Sequence, residues 1–158
     1  MIIRKFCESN AEKVSALVIH TIKISNSDDY SAEDINALEK QMQPAGILER
    51  ASWTNFGVAE EGDDIIGCGA IGPYWGSETE SSLFTIFVLP ECQGKGVGRK
   101  IIETLERDEY FLRANRVEVP ASITGVGFYR KLGYEYKNGI DRPDEERIYR
   151  LEKFRNLK

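Results

Sequence analysis

Cysteine is scarce in this chain. Cys7, Cys68 and Cys92 are the only three, an odd number without paired spacing, which argues against a disulfide framework or a cysteine metal site. A reducing compartment is the simpler setting. Positive charge is also short, with 21 Lys and Arg against 26 Asp and Glu for a net charge of -5. That balance provides no basic footprint for a nucleic-acid backbone, and it favours a cationic substrate through long-range attraction. Long apolar runs are missing: nothing approaches the roughly 18 residues of a membrane span, and "MIIRKFCESN" holds no apolar core of secretory length. The expectation is a soluble cytoplasmic protein with no nucleic-acid or membrane partner. There is no internal repeat, low-complexity tract or linker, so residues 1–158 read as one domain. With 41% hydrophobic and 30% charged residues, the chain can bury a core.

Periodicity assigns most elements. "MIIRKF" reads as a strand, followed by a helix with Val14, Leu17, Val18 and Ile22 on one face and a capping-box signal at Ser9 and Glu12. A second helix capped by Ser31 carries Ile35, Leu38 and Met42, and Pro44 and Gly46 are expected to end it. "EGDD" is turn chemistry between two β-favouring runs, with Gly67 and Gly69 marking a bulge or a close backbone approach in the second. "SLFTIFVL" is apolar on both faces except at Thr85, as a doubly covered central strand should be. The next helix starts near Val97, with Ile101, Ile102, Leu105 and Leu112 as its stripe. "RVEVPA" is a strand, "ITGVGFYRKLG" a short helix ended by Gly133, and "YEYKNG" and "RIYRLEKF" two final strands around the acidic loop "IDRPDEE". This order implies a mixed α/β sheet with helices on both faces.

The stretch "CQGKGVGR", between the central strand and the following helix, is built to hold an anion. Free backbone N–H groups converge at such a turn with the positive end of the helix dipole, and Gly94, Gly96 and Gly98 allow close approach. A triphosphate P-loop needs a glycine five residues ahead of the Gly-Lys pair and a hydroxyl after it, but Leu89 and Gly96 stand there. The dinucleotide fingerprint G-x-G-x-x-G also fails, because these glycines run G-x-G-x-G.

"VLPECQGKGVGRKIIETLE" resembles the acetyl-CoA motif of the GCN5-related N-acetyltransferase (GNAT) family, Q-x-x-G-x-G after a strand ending V-x-P. "ASITGVGFYRKLGYEY" is similar to that family's second motif, and "FGVAEEGDDIIGCGAI" to its preceding hairpin, so the resemblance spans about Phe56 to Tyr136. It implies a mostly antiparallel mixed sheet of about seven strands with splayed central strands. It also implies acetyl-CoA as acetyl donor, with its pyrophosphate on the backbone of Gln93, Gly94, Lys95, Gly96, Val97, Gly98 and Arg99. The pantetheine arm would pair with the free edge of Ile86, Phe87 and Val88, and a homodimer is a family-level expectation.

The chemistry that follows is acetyl transfer to a primary amine of a small molecule or peptide, by direct attack in a ternary complex. Tyr129 falls on the family's proton donor to the leaving thiolate, and a phenol with a pKa near 10 stays protonated at neutral pH. The N–H of Val88 would stabilise the developing oxyanion. Ser122 stands where many members have an asparagine that contacts pantetheine, and either cofactor contact or a helix N-cap would suit it. For the base, Glu80 is chosen over Glu78, with His20 as another candidate of suitable pKa. Cys92 reads as a loop cysteine. "NSDDYSAED", which includes Tyr30, and "IDRPDEE" could flank the acceptor pocket. The rival reading is a catalytically silent acyl-CoA-binding or interaction module; retention of both the glycine loop and Tyr129 favours the enzyme.

Overall fold

Turn chemistry sets the first hairpin. In the computed structural model, which describes residues 1–155, β2 (Asn55–Glu61) and β3 (Asp64–Pro73) meet through a turn where Gly62 has φ 62°. That left-handed conformation suits a residue without Cβ. β1 (Ile2–Lys5) pairs outside β2, and β4 (Glu80–Val88) pairs with β3. With β5 (Arg116–Ala121), β6 (Glu135–Tyr136) and β7 (Tyr149–Phe154), these form a seven-stranded sheet in the order β1-β2-β3-β4-β5-β7-β6. Every neighbouring pair is antiparallel except β4 with β5. The mixed, mostly antiparallel sheet is as expected.

Helices cover both faces. On one, α1 (Ala11–Ser25), α2 (Ala32–Gln41) and α3 (Pro44–Ala51) bring Val14, Val18, Ile22 and Ile47 against Val58, Cys68 and Ala70. On the other, α4 (Val97–Leu105), α5 (Glu109–Leu112) and α6 (Val126–Lys131) bring Ile101, Ile102, Phe111 and Tyr129 against Ile71, Leu83, Val117 and Val119.

Three helix boundaries differ from the sequence reading. Pro44 starts α3 instead of stopping α2, because the N–H that proline lacks is one a first-turn residue leaves unbonded anyway. The stripe expected to run through Leu112 breaks after Leu105, where Asp108 caps α5 by accepting from the Tyr110 N–H. Phe111 is consequently buried while Leu112 is exposed. No capping box forms at Ser9 and Glu12. The chain enters α1 through a 3-10 turn over Glu8–Asn10, and Asn10 Oδ1 accepts from the Cys7 N–H at 2.9 Å.

α4 crosses β3 closely at its glycines. A Cβ on Gly69 would lie 2.6 Å from Ile101 Cγ2 and 2.9 Å from Ile86 Cδ1. Ile101 cannot retreat far, since it is buried against the sheet, and buried Leu105 closes the space with Cδ1 at 3.2 Å. Gly69→Val should therefore destabilise the protein by about 1–3 kcal/mol through overpacking. Thermal unfolding should show it as a drop of roughly 2–4 °C per kcal/mol.

The sheet divides at its centre. β4 and β5 pair only over Glu80–Arg116, Ser81–Val117 and Ser82–Glu118; beyond that β4 follows β3 to Val88 while β5 follows β7 to Ala121. At the divergence β4 carries a bulge: the register with β3 slips between Cys68 and Ala70, and Thr85 has φ 54°. A β-branched residue is costly there and persists only where its surroundings fix it. Cys68 Sγ contacts the Thr85 carbonyl at 3.3 Å, and Arg50 Nη1 donates to Thr85 Oγ1 at 2.8 Å.

The joined end is tied by charge. Buried Arg116 donates to Glu80 at 3.0 Å, Glu118 at 2.9 Å and Glu152 at 3.0 Å, and Lys137 reaches Glu118 at 2.8 Å. Glu80 thus belongs to a structural ion cluster.

Candidate active site

After β4, a 3-10 turn over Pro90–Cys92 delivers the chain to the glycine loop. Gly94 and Gly96 have φ of 78° and 85°, conformations that most side chains would strain, and Gly96 becomes the N-cap of α4. The cap has no side-chain acceptor, and the first backbone bond of the helix runs from Lys100 N–H to the Gly96 carbonyl at 3.1 Å. Among the described residues, the N–H groups from Gly94 to Arg99 donate to nothing. They surround a helix N-terminus, so the loop is an anion cradle. At Gly98 a Cβ would stand 3.0 Å from the Phe128 ring, so glycine also lets α6 pack against α4.

Gln93 turns the other way. Its Nε2 donates to the Val88 carbonyl at 3.0 Å. The Leu89 N–H bonds to Ile66 on β3 at 2.9 Å, so strand alternation directs Leu89 and Phe87 toward β3 and the backbone of Ile86 and Val88 toward the split. Of the three residues expected to offer a free edge, Ile86 and Val88 present their backbone to it. Phe87 contributes only its side chain to the cavity wall.

A cavity of about 1190 Å³ runs along this open edge and joins the glycine loop, Ser122 and Tyr129 to the inner faces of α1, α2 and α3. Tyr129 is 7% exposed, and its ring meets Phe128 and Tyr134 edge-on with centroids 5.1 and 6.2 Å away. Its hydroxyl bonds to none of the described residues. Burial raises its pKa, so the phenol keeps its proton. Ser122 Oγ lies 3.3 Å from Thr124 Oγ1 and does not cap α6, whose N-cap is Gly125. Tyr30 Oη donates to the Arg147 carbonyl at 3.0 Å and accepts from the Ile123 N–H at 3.4 Å. Both acidic loops therefore reach the cavity rim, with Asp34, Glu145 and Glu146 exposed there.

Other expected residues lie elsewhere. Glu80 is held by Arg116 at the joined end of the strands and does not line the cavity, nor does Glu78. His20 sits outside it, 3.9 Å from Glu91 on an exposed surface. Lys95 does not line the cavity, whereas Arg99 does, with its guanidinium paired to Glu103 at 3.0 Å. Arg50 and Thr85 form part of the lining and were not anticipated; the polar Thr85 in an otherwise apolar strand was the available signal. Among the described residues, no cluster of three or more His, Cys, Asp or Glu could hold a metal, and no helix is long and apolar enough to cross a membrane.

A mixed sheet split beside its central strand, with an amide-lined turn at that strand's end, is the architecture of an acetyltransferase. The family model described as acetyltransferase (GNAT) domain matches residues 52–136, and the chain belongs to that family. Among solved structures, the PaiA N-acetyltransferase of Thermoplasma acidophilum, in complex with coenzyme A, is similar with a TM-score of 0.81 at 16% identity, covering 98% of both chains. A GCN5-related N-acetyltransferase from Rhodopseudomonas palustris has a TM-score of 0.77 at 22% identity, over 98% of this chain and 95% of that one. A GNAT family acetyltransferase from Brucella melitensis, in complex with acetyl-CoA, has a TM-score of 0.68 at 20% identity, over 99% and 90%. At these identities the likeness concerns the fold. No curated protein matches the sequence.

Proposed function

We propose that this protein is a single-domain N-acetyltransferase that moves the acetyl group of acetyl-CoA to a primary amine by direct attack in a ternary complex. The observation that carries the reading is one continuous cavity lined by Gly94, Gly96, Val97, Gly98 and Arg99 of the glycine loop, by Ile86 and Val88 at the split edge, and by Tyr129. The loop fits a pyrophosphate, and the unpaired edge fits the amides of an extended pantetheine arm. Two of the solved neighbours, in complex with coenzyme A and acetyl-CoA, support this fit.

Acetyl-CoA supplies an acyl group activated as a thioester. The amine nitrogen bonds to the carbonyl carbon, the carbon–sulfur bond breaks, the nitrogen loses a proton and the sulfur gains one. Val88 directs its N–H to the developing oxyanion, and Tyr129 donates the proton to sulfur. Neutralising a lysine-like amine at pH 7 costs about 4–5 kcal/mol. Glu80, neutralised by Arg116, is not placed to accept that proton; it leaves through the cavity mouth, past Asp34, Glu145 and Glu146.

Thiol release from acetyl-CoA against polyamines, amino acids, aminoglycosides and peptides tests the reading. Acetylation of at least one class supports it, whereas tight coenzyme A binding with no acetylation across the panel would establish a silent binding module. Gly96→Val should weaken coenzyme A binding about 10- to 100-fold by calorimetry, since the lost amide contacts are worth about 1.5–3 kcal/mol each. A Cβ at Gly96 meets nothing within 4 Å, so the change acts through the φ of 85° and the cradle rather than through the core.

A further inference from the structure

Arg50 lines the cavity and makes no ion pair with a described residue. The turn after α3 fixes its backbone: the Arg50 carbonyl accepts from Thr54 Oγ1 at 2.8 Å, and Ile47, one turn earlier, is fully buried. The guanidinium enters the cavity wall beside the β4 bulge, where Nη1 donates to Thr85 Oγ1 at 2.8 Å. That is its one side-chain hydrogen bond among the described residues, and no described carboxylate comes within ion-pair distance. Three other arginines that leave solvent pair with carboxylates, Arg4 with Glu60 at 2.6 Å, Arg116 with three glutamates and Arg150 with Asp144 at 3.0 Å, while Arg155 donates to the Phe111, Leu112 and Ala114 carbonyls. A guanidinium has five N–H donors in a planar fork, and a carboxylate is the partner that fork fits. Burial lowers the Arg50 pKa, with the adjacent Glu49 acting in the opposite direction, yet an arginine stays charged at neutral pH.

Its place relative to the reacting centre is also defined. Thr85 is three residues before Val88, so along the strand the guanidinium's anchor stands about 10 Å from the proposed oxyanion donor. An amine held for attack near Val88 can place an anionic group of the same small molecule on Arg50. Arg50 stands half-buried in the cavity wall, while the other charged lining residues, Arg99, Lys131, Asp34, Glu145 and Glu146, are exposed. The overall charge of -5 favours cationic ligands at long range, but the inner wall selects for the opposite sign.

We infer that Arg50 binds a carboxylate of the acceptor, so that the amine this protein acetylates belongs to an amino-acid-like molecule. The inference rests on the acetyl-transfer reading above. The experiment compares amines in matched sets: amino acids with a free α-carboxylate, their α-amides and their decarboxylated amines, each with acetyl-CoA. The carboxylate forms should have kcat/KM at least about 10-fold above their amides and decarboxylated counterparts. Arg50→Met should raise KM for the carboxylate form by about 10-fold or more, leave kcat and the acetyl-CoA KM within about 3-fold, and abolish the preference. Arg50→Lys, which keeps the positive charge, should restore part of it.

Equal use of amides, polyamines and carboxylates by the wild type would overturn the inference and leave acetyl transfer standing. A preference for the carboxylate form that survives in Arg50→Met would also overturn it, showing that another group reads the carboxylate. A wild-type protein that fails to bind acetyl-CoA would overturn both readings.

Discussion

Tyr129→Phe should lower kcat for acetyl transfer by about 10²- to 10⁴-fold, the usual span for removing a positioned general acid. The KM for acetyl-CoA should stay within a few-fold, because the phenyl ring keeps its contacts with Phe128 and Tyr134. The variant should unfold at nearly the wild-type temperature, since the hydroxyl has no partner among the described residues and its loss orphans no group. Steady-state kinetics and thermal unfolding of the same preparation separate the two effects. The pH profile gives a second check. Burial raises the Tyr129 pKa, so its neutral, donating form persists to higher pH than in water. The wild-type rate should therefore climb as the amine deprotonates, with no fall from tyrosine ionisation below about pH 10. Full activity in Tyr129→Phe would assign the proton to water and leave the fold untouched.

Arg116→Met should destabilise the protein by about 3–5 kcal/mol, the range for breaking a buried ion pair from one side. Arg116 is 7% exposed and Glu118 2% exposed, so Glu118 would lose its counter-charge where water cannot replace it. Lys137, 2.8 Å from Glu118, recovers part of the loss. The guanidinium also lies over the Tyr74 ring at 4.9 Å, a contact that methionine keeps only as packing. Chemical denaturation should show a lower midpoint. A variant as stable as wild type would mean that the cluster is solvated. The test bears on the site because this cluster ties the only stretch where β4 and β5 meet.

Much of this arrangement can be read from local signals. The β2–β3 turn, the central strand, the start of α4 at Val97 and the glycine loop each depend on a short pattern whose physics is local. Pro44 was ambiguous because proline disfavours the interior of a helix and suits its first turn equally well. The break before α5 turns on Asp108, whose capping competes with an apolar period that continues to Leu112. Glu80 was legible as a carboxylate near the central strand, but not as Arg116's partner, because 36 residues separate them and the parallel pairing that joins them is non-local. Arg50 stands in "LERAS", which reads as an ordinary solvated helix end; only the packing of α3 against β4 brings it to the bulge. The left-handed Thr85 was unreadable for a different reason, because its β-branched side chain argues against the conformation that it adopts.

The split sheet has one more effect, on how the protein avoids sticking to itself. An unpaired strand edge is a template for aggregation, and here one lies at the middle of a sheet. The edge at Ile86 and Val88 faces inward, between the diverging β5 and the glycine loop, and Gln93 already occupies the Val88 carbonyl. A strand from another copy would have to pry β5 away to reach it, whereas a thin, flexible ligand arm can slide in lengthwise. The gap thus keeps a sticky surface available to small molecules and closed to other chains.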